Sequence, residues 1–250
     1  MRIRLLSFFL YSLLVALLPL ILWQGKRTRD NTPRLPEASG ERFGEISGNG
    51  TPIRILILGE STAVGVGVDR IEQGLVGHFV RAYAHKTGRP VQWELIGQNG
   101  ATVAELREIL AKASVPAFDL AILAIGVNDA KALHSPARWQ RDLRGLLHDL
   151  YILQPTAHYY VSAMPPLGLF PALPQPLRFL LGLQADRLRL SSEALIATMP
   201  KARHLHPDFS FAPGLFASDG FHPSEAGYER WARNLVAAIT DSAKPTAVIA

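Results

Sequence analysis

Ser61 follows an apolar run and opens a glycine-rich turn, a place where a serine can act as a nucleophile. The run, residues 53–58, is short and rich in β-branched side chains, which is typical of a buried parallel strand. Gly59 ends the run, and helical spacing begins near Ile71. Open α/β sheets hold their sites at the carboxyl ends of the strands. A nucleophilic serine would still need a base, an orienting group and donors for an oxyanion.

Other interpretations fit this stretch when it is taken alone. Ser61 could cap a helix while the glycines only make the turn. A nucleotide-binding loop is disfavoured because Gly65 and Gly67 have no glycine three positions later and no Gly-Lys-Ser/Thr follows. The Gly-x-Ser-x-Gly elbow of ordinary α/β-hydrolases is also absent, since Ala63 stands at its second glycine. The remaining groups must therefore come from elsewhere in the chain.

Polar groups of complementary kinds follow later apolar runs and precede the last helical pattern. Gly100 and Asn128 each come just after an apolar run. Asp219 and His222 come shortly before Pro223. Proline is favoured at the first position of a helix. The carboxyl ends of parallel strands share one edge of a sheet, so these groups can meet Ser61 there. The pattern predicts one site built from four segments.

The elements that must position these residues alternate along the chain. Strand candidates are residues 53–58, 91–96, 119–125, 157–162 and, more weakly, 203–206. Helical candidates are residues 71–86, 103–113, 136–154, 177–198 and 224–240. Repeated strand–helix alternation predicts a doubly wound parallel sheet within one domain.

Four short motifs together resemble those of the SGNH (GDSL-type) hydrolase superfamily. They are Gly59-Glu60-Ser61, Gly100, Gly126-x-Asn128-Asp129 and Asp219-x-x-His222, in the family's order and on matching elements. The resemblance covers about residues 53–240. It implies an α/β fold with a three-layer, doubly wound (flavodoxin-like) parallel sheet of about five strands. It also implies a serine esterase or lipase that uses no metal and no cofactor.

The family pattern implies a role for each matched residue. Ser61 would attack an acyl carbonyl, His222 would take the serine proton, and Asp219 would orient His222. The backbone N–H groups of Ser61 and Gly100, with the side-chain amide of Asn128, would form the oxyanion hole.

Two features depart from the family pattern. Glu60 replaces the usual aspartate, which displaces the carboxylate by one methylene and leaves a supporting hydrogen bond in question. The second motif is loose, so Gly97 competes with Gly100 for the oxyanion role. The sequence Asn99-Gly100-Ala-Thr102 matches the family's Ser-Gly-x-Thr spacing better, which favours Gly100.

Each motif also has an interpretation without catalysis. Asn128 and Asp129 could form a loop and a helix cap, and Asp219 and His222 could form a solvated turn. A non-catalytic interpretation would have to hold independently for every motif, so a shared catalytic site is the better interpretation.

The other histidines carry little functional signal. His204-x-His206, with Asp208 nearby, could suggest a metal, but no third ligand is evident, so a structural or surface pair is the better interpretation. The remaining histidines are predicted to lack partners; they are His78, His85, His134, His148 and His158.

Two apolar segments could shape a substrate pocket. Residues 164–176 form a proline-rich loop after the fourth strand, and residues 209–216 lead into Asp219. Either could form an acyl pocket, a lid or a membrane-contacting rim. The alternative is that both pack on the core as ordinary loops.

Charge and cysteine content exclude several classes of protein. The 250 residues carry a net charge of +5. All of this excess lies in residues 1–34, which leaves no basic surplus in the body for a nucleic-acid backbone. The chain has no cysteine, which excludes a disulfide framework, a cysteine nucleophile and thiolate metal sites.

The N-terminus contains an uncharged apolar run from Leu5 to Trp23 with basic residues on both sides. Its length approaches the ~20 residues that span a bilayer. A cleaved signal peptide is the rival, but no Ala-x-Ala-like site follows. The expectation is an anchor in residues 1–25, a linker in 26–50, a hydrolase domain in 51–242 and a tail in 243–250. The domain is expected to be membrane-anchored and to face away from the cytoplasm.

The sequence as a whole favours a membrane-anchored serine hydrolase acting on acyl esters or lysolipids through an acyl-enzyme. One alternative is removal of acetyl groups from envelope glycans, for which a more polar groove is expected. The other is a non-catalytic module that binds acylated ligands or a protein partner at the membrane.

Overall fold

The computed structural model describes residues 2–208, 212 and 214–241, with side chains from residue 17 onward. Within that part, the strands are β1 (Phe43–Ile46), β2 (Ile53–Gly59), β3 (Val91–Gly97), β4 (Leu120–Ala124), β5 (His158–Ser162) and β6 (Ala202–Leu205). The helices are α1 (Arg2–Asn31), α2 (Leu75–Thr87), α3 (Val103–Lys112), α4 (Val127–Lys131), α5 (Pro136–Leu153), α6 (Leu177–Ile196) and α7 (Glu225–Asp241). Short 3-10 turns occur at Ile71–Gln73 and Leu167–Leu169.

The six strands form one sheet in the order β1-β3-β2-β4-β5-β6. Strands β2 to β6 are parallel, and β1 runs antiparallel to β3 at the edge. The parallel part has the flavodoxin-like order, in which the direction of winding reverses between the first and third strands. Here that switch point lies between β2 and β4, so the segments that carry Ser61 and Asn128 leave the sheet side by side.

Register places three strand ends at one level. Gly59 at the end of β2 lies opposite Gly97 of β3 and Ala124 of β4. The loops that follow these strands therefore start from the same edge of the sheet. This alignment is what can gather residues that are some 70 positions apart in the sequence.

Helices cover both faces of the sheet, which explains the near-continuous apolar character of the central strand. Leu56 and Leu58 of β2 pack into the layer that contains α3, α5 and α6. Ile55 and Ile57 pack into the opposite layer with α2 and α7. The prediction of a three-layer α/β domain is confirmed, although the sheet has six strands rather than about five.

The additional strand lies inside the stretch predicted as a linker. Leu95 N–H donates to the carbonyl of Arg42, and the Arg42 guanidinium donates to the Gly97 carbonyl at 2.8 Å. β1 gives no apolar signal because it is an edge strand; Phe43, for example, is 63% exposed. Residues 43–46 thus extend the sheet on its outer side.

The N-terminal prediction is not supported. Of the helices in the described residues, none has the length and apolarity that crossing a bilayer requires. The end of α1 is instead tied to the domain through the buried Gln24. Its amide donates to the Gln175 carbonyl at 2.7 Å, and its oxygen accepts from Leu177 N–H at 3.2 Å. The predicted tail, residues 243–250, lies outside the described residues.

Candidate active site

Two tight turns after β2 hold Ser61 at the edge of the sheet. The Glu60 carbonyl accepts from the N–H groups of Ala63 at 2.9 Å and Val64 at 3.2 Å. The Ser61 carbonyl accepts from Val66 N–H at 2.9 Å. Ser61 is only 7% exposed and lines a partly open cavity.

The Ser61 loop packs directly on the segment that carries His222. Gly67, with φ of +109°, lies so close that an added Cβ would stand 2.5 Å from the Pro223 carbonyl oxygen and 3.3 Å from the His222 Cβ. Tyr228 of α7 donates its hydroxyl to the Val66 carbonyl at 2.6 Å. A glycine at position 67 is therefore needed because the backbones of two parts of the candidate site pack closely there.

Asp219 and His222 form a closed pair. His222 Nδ1 lies 2.6 Å from one carboxylate oxygen of Asp219, and the other oxygen accepts from the backbone N–H groups of Phe221 and His222 at 2.9 Å each. Burial raises the pKa of Asp219, but these hydrogen bonds outweigh it and hold the pKa below its ordinary value. The carboxylate is thus ionised and locked against the imidazole.

Ser61 is not hydrogen-bonded to this pair. In the described part of the chain, the Ser61 hydroxyl makes no hydrogen bond to His222 or to any other group. Catalytic hydrogen bonds are often long in unliganded enzymes and tighten with substrate. The structure therefore packs the Ser61 loop against the segment that carries Asp219 and His222, and these two residues are in contact with each other.

Glu60 connects the Ser61 loop to the Asn128 motif. Its two carboxylate oxygens accept from Val127 N–H at 2.8 Å and Asn128 N–H at 3.0 Å, the first amides of α4. The Asn128 side-chain amide also donates to Glu60 and, at 3.2 Å, to the Ala101 carbonyl. The glutamate that departs from the family pattern thus supports the predicted oxyanion residue directly.

Burial sets the protonation behaviour of Glu60. The residue is only 2% exposed, and desolvation raises its pKa from 4.5 to about 7, although the Val127 and Asn128 N–H groups oppose the shift. In the unfolded chain the same carboxyl titrates at its ordinary value. The folded protein therefore binds the Glu60 proton more tightly than the unfolded chain between these two pH values.

This difference predicts a pH dependence of stability that Glu60→Gln should remove. Because the folded-state pKa is raised, the Glu60 contribution to the free energy of unfolding is largest below about pH 4.5. It falls by up to about 3 kcal/mol as the pH rises through about 7. Urea unfolding of wild type and Glu60→Gln across this range measures the difference.

Glu41→Gln, at an exposed position, is the matched control and should keep the wild-type profile. If the wild-type and Glu60→Gln stabilities stay parallel over the whole pH range, the raised pKa of Glu60 is wrong.

Gly100 and Gly97 differ in their surroundings. A Cβ on Gly97 would stand 2.3 Å from the Gly59 carbonyl oxygen, so this glycine is needed for close approach of β3 and β2. Gly100 has φ of +83° and open space around its Cα, a conformation that favours glycine. Its neighbour Ala101 bonds to Asn128. The open space beside Gly100 leaves room for an oxyanion, which favours Gly100 over Gly97 for this role. The role itself stays a prediction.

An apolar cavity lies beside Ser61. Both segments predicted to shape a pocket reach it, the first through Pro165 and Phe170 and the second through Leu215 and Phe216. Residues 209–211 and 213 of the second segment lie outside the described residues. The volume of this partly open cavity is about 70 Å³, well below the ~300–1,000 Å³ of pockets for drug-sized ligands.

Aromatic rings build one wall of this cavity. The Phe170 ring packs edge-on against Phe221 at 5.0 Å and against Phe216 at 5.7 Å between centroids. Phe221 in turn packs against the His222 ring at 5.3 Å. Phe170 is buried, so the proline-rich loop both joins the core and lines the cavity next to the histidine.

The structure corrects the prediction that His134 and His78 have no partners. His134 Nδ1 lies 2.9 Å from the buried Asp129, whose other oxygen accepts from Val103 N–H. His78 Nδ1 lies 3.2 Å from the Arg81 guanidinium. The Asp129–His134 pair joins the start of α3 to the end of α4, which is a structural role that the sequence spacing alone did not indicate.

Lys131 is a residue near the site that sequence reasoning missed. Its ammonium group donates to the Asn128 side-chain oxygen at 3.1 Å and lies 5.3 Å from the centre of the Phe221 ring. The spacing of three residues from Asn128 on a helix was the available signal. Lys131 fixes the orientation of the Asn128 amide by occupying its oxygen.

Comparison with known proteins identifies the family of this chain. The model of the GDSL-like Lipase/Acylhydrolase family matches residues 57–230, and the chain belongs to this family. The GDSL-like esterase Rv1075c of Mycobacterium tuberculosis is 30% identical over 198 residues, which cover 76% of this chain and 62% of that protein. The chain thus spans less than two thirds of the length of this curated relative.

Solved structures share the fold. A lipase/acylhydrolase from Enterococcus faecalis has a TM-score of 0.59 at 20% identity, with 76% of this chain and 96% of that chain covered. An acetyl xylan esterase from Geobacillus stearothermophilus has a TM-score of 0.54 at 17% identity, with 75% and 94% covered. At these identities the likeness concerns the fold.

Proposed function

We propose that this protein hydrolyses carboxylic esters through an acyl-enzyme formed on Ser61. The observation that carries the proposal is the closed Asp219–His222 pair, 2.6 Å between Oδ2 and Nδ1, on the segment that packs against the Ser61 loop. Membership of the GDSL-like family supports the same chemistry.

His222 acts as the base that activates Ser61. Asp219 holds Nδ1 of the imidazole, which leaves Nε2 to take the Ser61 proton as the hydroxyl attacks the acyl carbonyl. The imidazolium that forms is stabilised by the ionised Asp219 carboxylate. It then returns the proton to the departing alcohol, and a water molecule activated in the same way releases the acid.

The oxyanion forms between three donors in this proposal, namely the backbone N–H groups of Ser61 and Gly100 and the Asn128 amide. The free-enzyme structure has both Asn128 amide hydrogens engaged, one with Glu60 and one with the Ala101 carbonyl. The bond to Ala101, at 3.2 Å, is the longer of the two and pairs neutral groups. It is the one that Asn128 gives up when it donates to the oxyanion.

Replacement of Asn128 tests this donor. We expect Asn128→Ala to lower kcat by about 10²–10³-fold, with a smaller change in KM, because the lost bond strengthens as the oxyanion develops. Steady-state kinetics on a p-nitrophenyl ester measures both constants.

Asn99→Ala, at an exposed position beside Gly100, is the control and should stay within a few-fold of wild type. If both variants lose kcat equally, the assignment of Asn128 to the oxyanion hole is wrong.

The cavity favours a short acyl group as substrate. Its lining is mostly apolar and includes Phe170, Phe216 and Phe221, and its volume is small, about 70 Å³. A long acyl chain, as in a lysolipid, would have to extend beyond the enclosed space. Short acyl esters are thus the preferred substrates within the broader proposal.

A chain-length series tests both the activity and this preference. We expect p-nitrophenyl acetate and butyrate to give the highest kcat/KM, and octanoate and palmitate to give values lower by at least about tenfold. A maximum of kcat/KM at palmitate would overturn the short-acyl preference and would favour lysolipids as substrates. Absence of hydrolysis with every ester would overturn the enzymatic proposal and favour a binding module.

Removal of acetyl groups from a glycan is the second candidate, because the small enclosed volume also fits an acetyl group. Release of acetate from an acetylated glycan at a rate above that from p-nitrophenyl acetate would favour it. The aromatic rings beside His222 favour an apolar acyl ester over a sugar ester, which places this candidate second.

A further inference from the structure

Three potential metal ligands meet where β6 ends against α6. They are Glu193 of α6, His204 of β6 and His206 just beyond the strand, and their ligand atoms lie within 4.8 Å of one another. The two histidine rings are 4.8 Å apart between centroids, and His206 Nδ1 is 3.7 Å from the Glu193 carboxylate. The sequence shows the histidine pair, whereas the third ligand comes from a different element and becomes visible only in the fold.

A hydrogen bond to Ser192 fixes the tautomer of His204. The Ser192 hydroxyl donates its single proton to the Arg189 carbonyl at 2.8 Å, so it can only accept from His204 Nε2, which lies 3.1 Å away. The Nε2 atom therefore carries the ring hydrogen, and Nδ1 carries a lone pair. Within the described residues, this Nδ1 atom is buried and has no hydrogen-bond partner.

This arrangement is typical of a metal-binding histidine. Histidine ligands usually donate the other ring N–H to an oxygen, which fixes the tautomer and the orientation of the ring. A buried nitrogen lone pair without a partner is costly unless a cation or a donor reaches it. His204 thus keeps one buried ring nitrogen with no hydrogen-bond partner that is available to bind a cation.

The charges around the cluster can accept a divalent cation. Glu193 supplies one negative charge, and Arg189 already orients its carboxylate through a 2.6 Å bond. Arg189 also pairs with Asp186 at 3.4 Å, so a second carboxylate offsets its positive charge. The His206 side chain is 57% exposed and that of Glu193 27% exposed, which leaves a path for an ion to enter.

We propose that Glu193, His204 and His206 bind a zinc ion. Two imidazoles and one carboxylate form a ligand set that zinc prefers, with metal–ligand distances of about 2.0–2.2 Å and a fourth position for water. Those distances require the ligand atoms to approach to about 3.4 Å from one another in a tetrahedron. The exposed His206 can supply this movement by a change of rotamer.

The bound ion would act as a clip between α6 and the end of β6. The chain continues from His206 to Asp208, which lines the cavity beside Ser61. Zinc would therefore stabilise the start of the segment that leads to Asp219 and His222. The ion takes no part in the proposed ester hydrolysis, so the two proposals can fail separately.

Zinc titration of the full chain without an affinity tag, after treatment with EDTA, tests the site. We expect one zinc ion per chain by calorimetry and a rise in Tm with zinc. Substitution of Co²⁺ should give the visible absorption of tetrahedral coordination. His206→Ala should weaken zinc binding by at least about 100-fold, while His85→Ala, at an exposed histidine on α2, should leave it unchanged.

Ser192→Ala tests whether the hydrogen bond that fixes the His204 tautomer contributes to zinc binding. It keeps all three ligands and removes the acceptor that fixes the His204 tautomer, so we expect binding to weaken by about 10–100-fold. Zinc binding that is equal in wild type and His206→Ala, or absent from a folded wild type, would overturn the proposal. Either result can be read while ester hydrolysis is measured independently on the same samples.

Discussion

Ser61→Ala should lower kcat for a short-chain ester by about 10⁴–10⁶-fold, the largest effect of any single substitution in this chain. The serine hydroxyl is the atom that bonds to the acyl carbon, so its removal leaves only binding and the oxyanion donors to assist attack by water. The variant should fold normally, because the Ser61 hydroxyl makes no hydrogen bond in the described structure and the loss of one oxygen adds no strain. Stopped-flow and steady-state assays with p-nitrophenyl acetate measure the rate.

Ser218→Ala provides the matched control. Ser218 is exposed and directly precedes Asp219, so the variant tests whether any serine near the site matters. Its kcat should remain within a few-fold of wild type. If Ser61→Ala keeps more than about one hundredth of the wild-type kcat while Ser218→Ala loses activity, the nucleophile has been assigned to the wrong serine.

Asp219→Asn should lower kcat by about 10⁴-fold with little change in fold. An asparagine oxygen can still accept from the N–H groups of Phe221 and His222, which bond to Oδ1 at 2.9 Å, so the turn is kept. The second oxygen, 2.6 Å from His222 Nδ1, becomes an amide nitrogen. An N–H group there forces the wrong histidine tautomer and stabilises no imidazolium.

Asp208→Asn is the control, because Asp208 is a second aspartate near the site and lines the cavity. Asp208 is exposed and pairs with Arg230 at 3.2 Å, so the change should cost less than about fivefold in kcat. Equal losses at positions 208 and 219 would mean that the negative charge of the cavity, rather than the bond to His222, supports the rate.

The sequence could predict the sheet because the central strands carry a strong local signal. Burial on both faces makes β2 and β4 continuous apolar runs, and the predicted bounds differ from the observed ones by at most one residue at either end. β1 escaped prediction because an edge strand with a burial pattern of alternating exposed and half-buried residues looks like a loop. The uncharged apolar run and its basic flanks favour a membrane helix in the sequence, but such local features do not reveal contacts like those of Gln24 with the domain.

The candidate site was predictable where residue type and short spacing carry the chemistry. Asp219 and His222, three residues apart, meet through a local turn that the sequence contains in full. Glu60 and Asn128 are 68 residues apart, and their contact depends on the register of β2 and β4. The same limit applies to Glu193, which joins His204 only through the packing of α6 against β6.

Labelling with a fluorophosphonate is the measurement that tests the central claim most directly, because this probe bonds covalently to an activated serine. We expect the folded wild-type chain to gain one label, located on Ser61 by peptide mass analysis. Ser61→Ala and His222→Ala should remain unlabelled, and Ser218→Ala should label fully. A folded wild type that stays unlabelled, or a label that persists in Ser61→Ala, would contradict the assignment of Ser61 as the nucleophile.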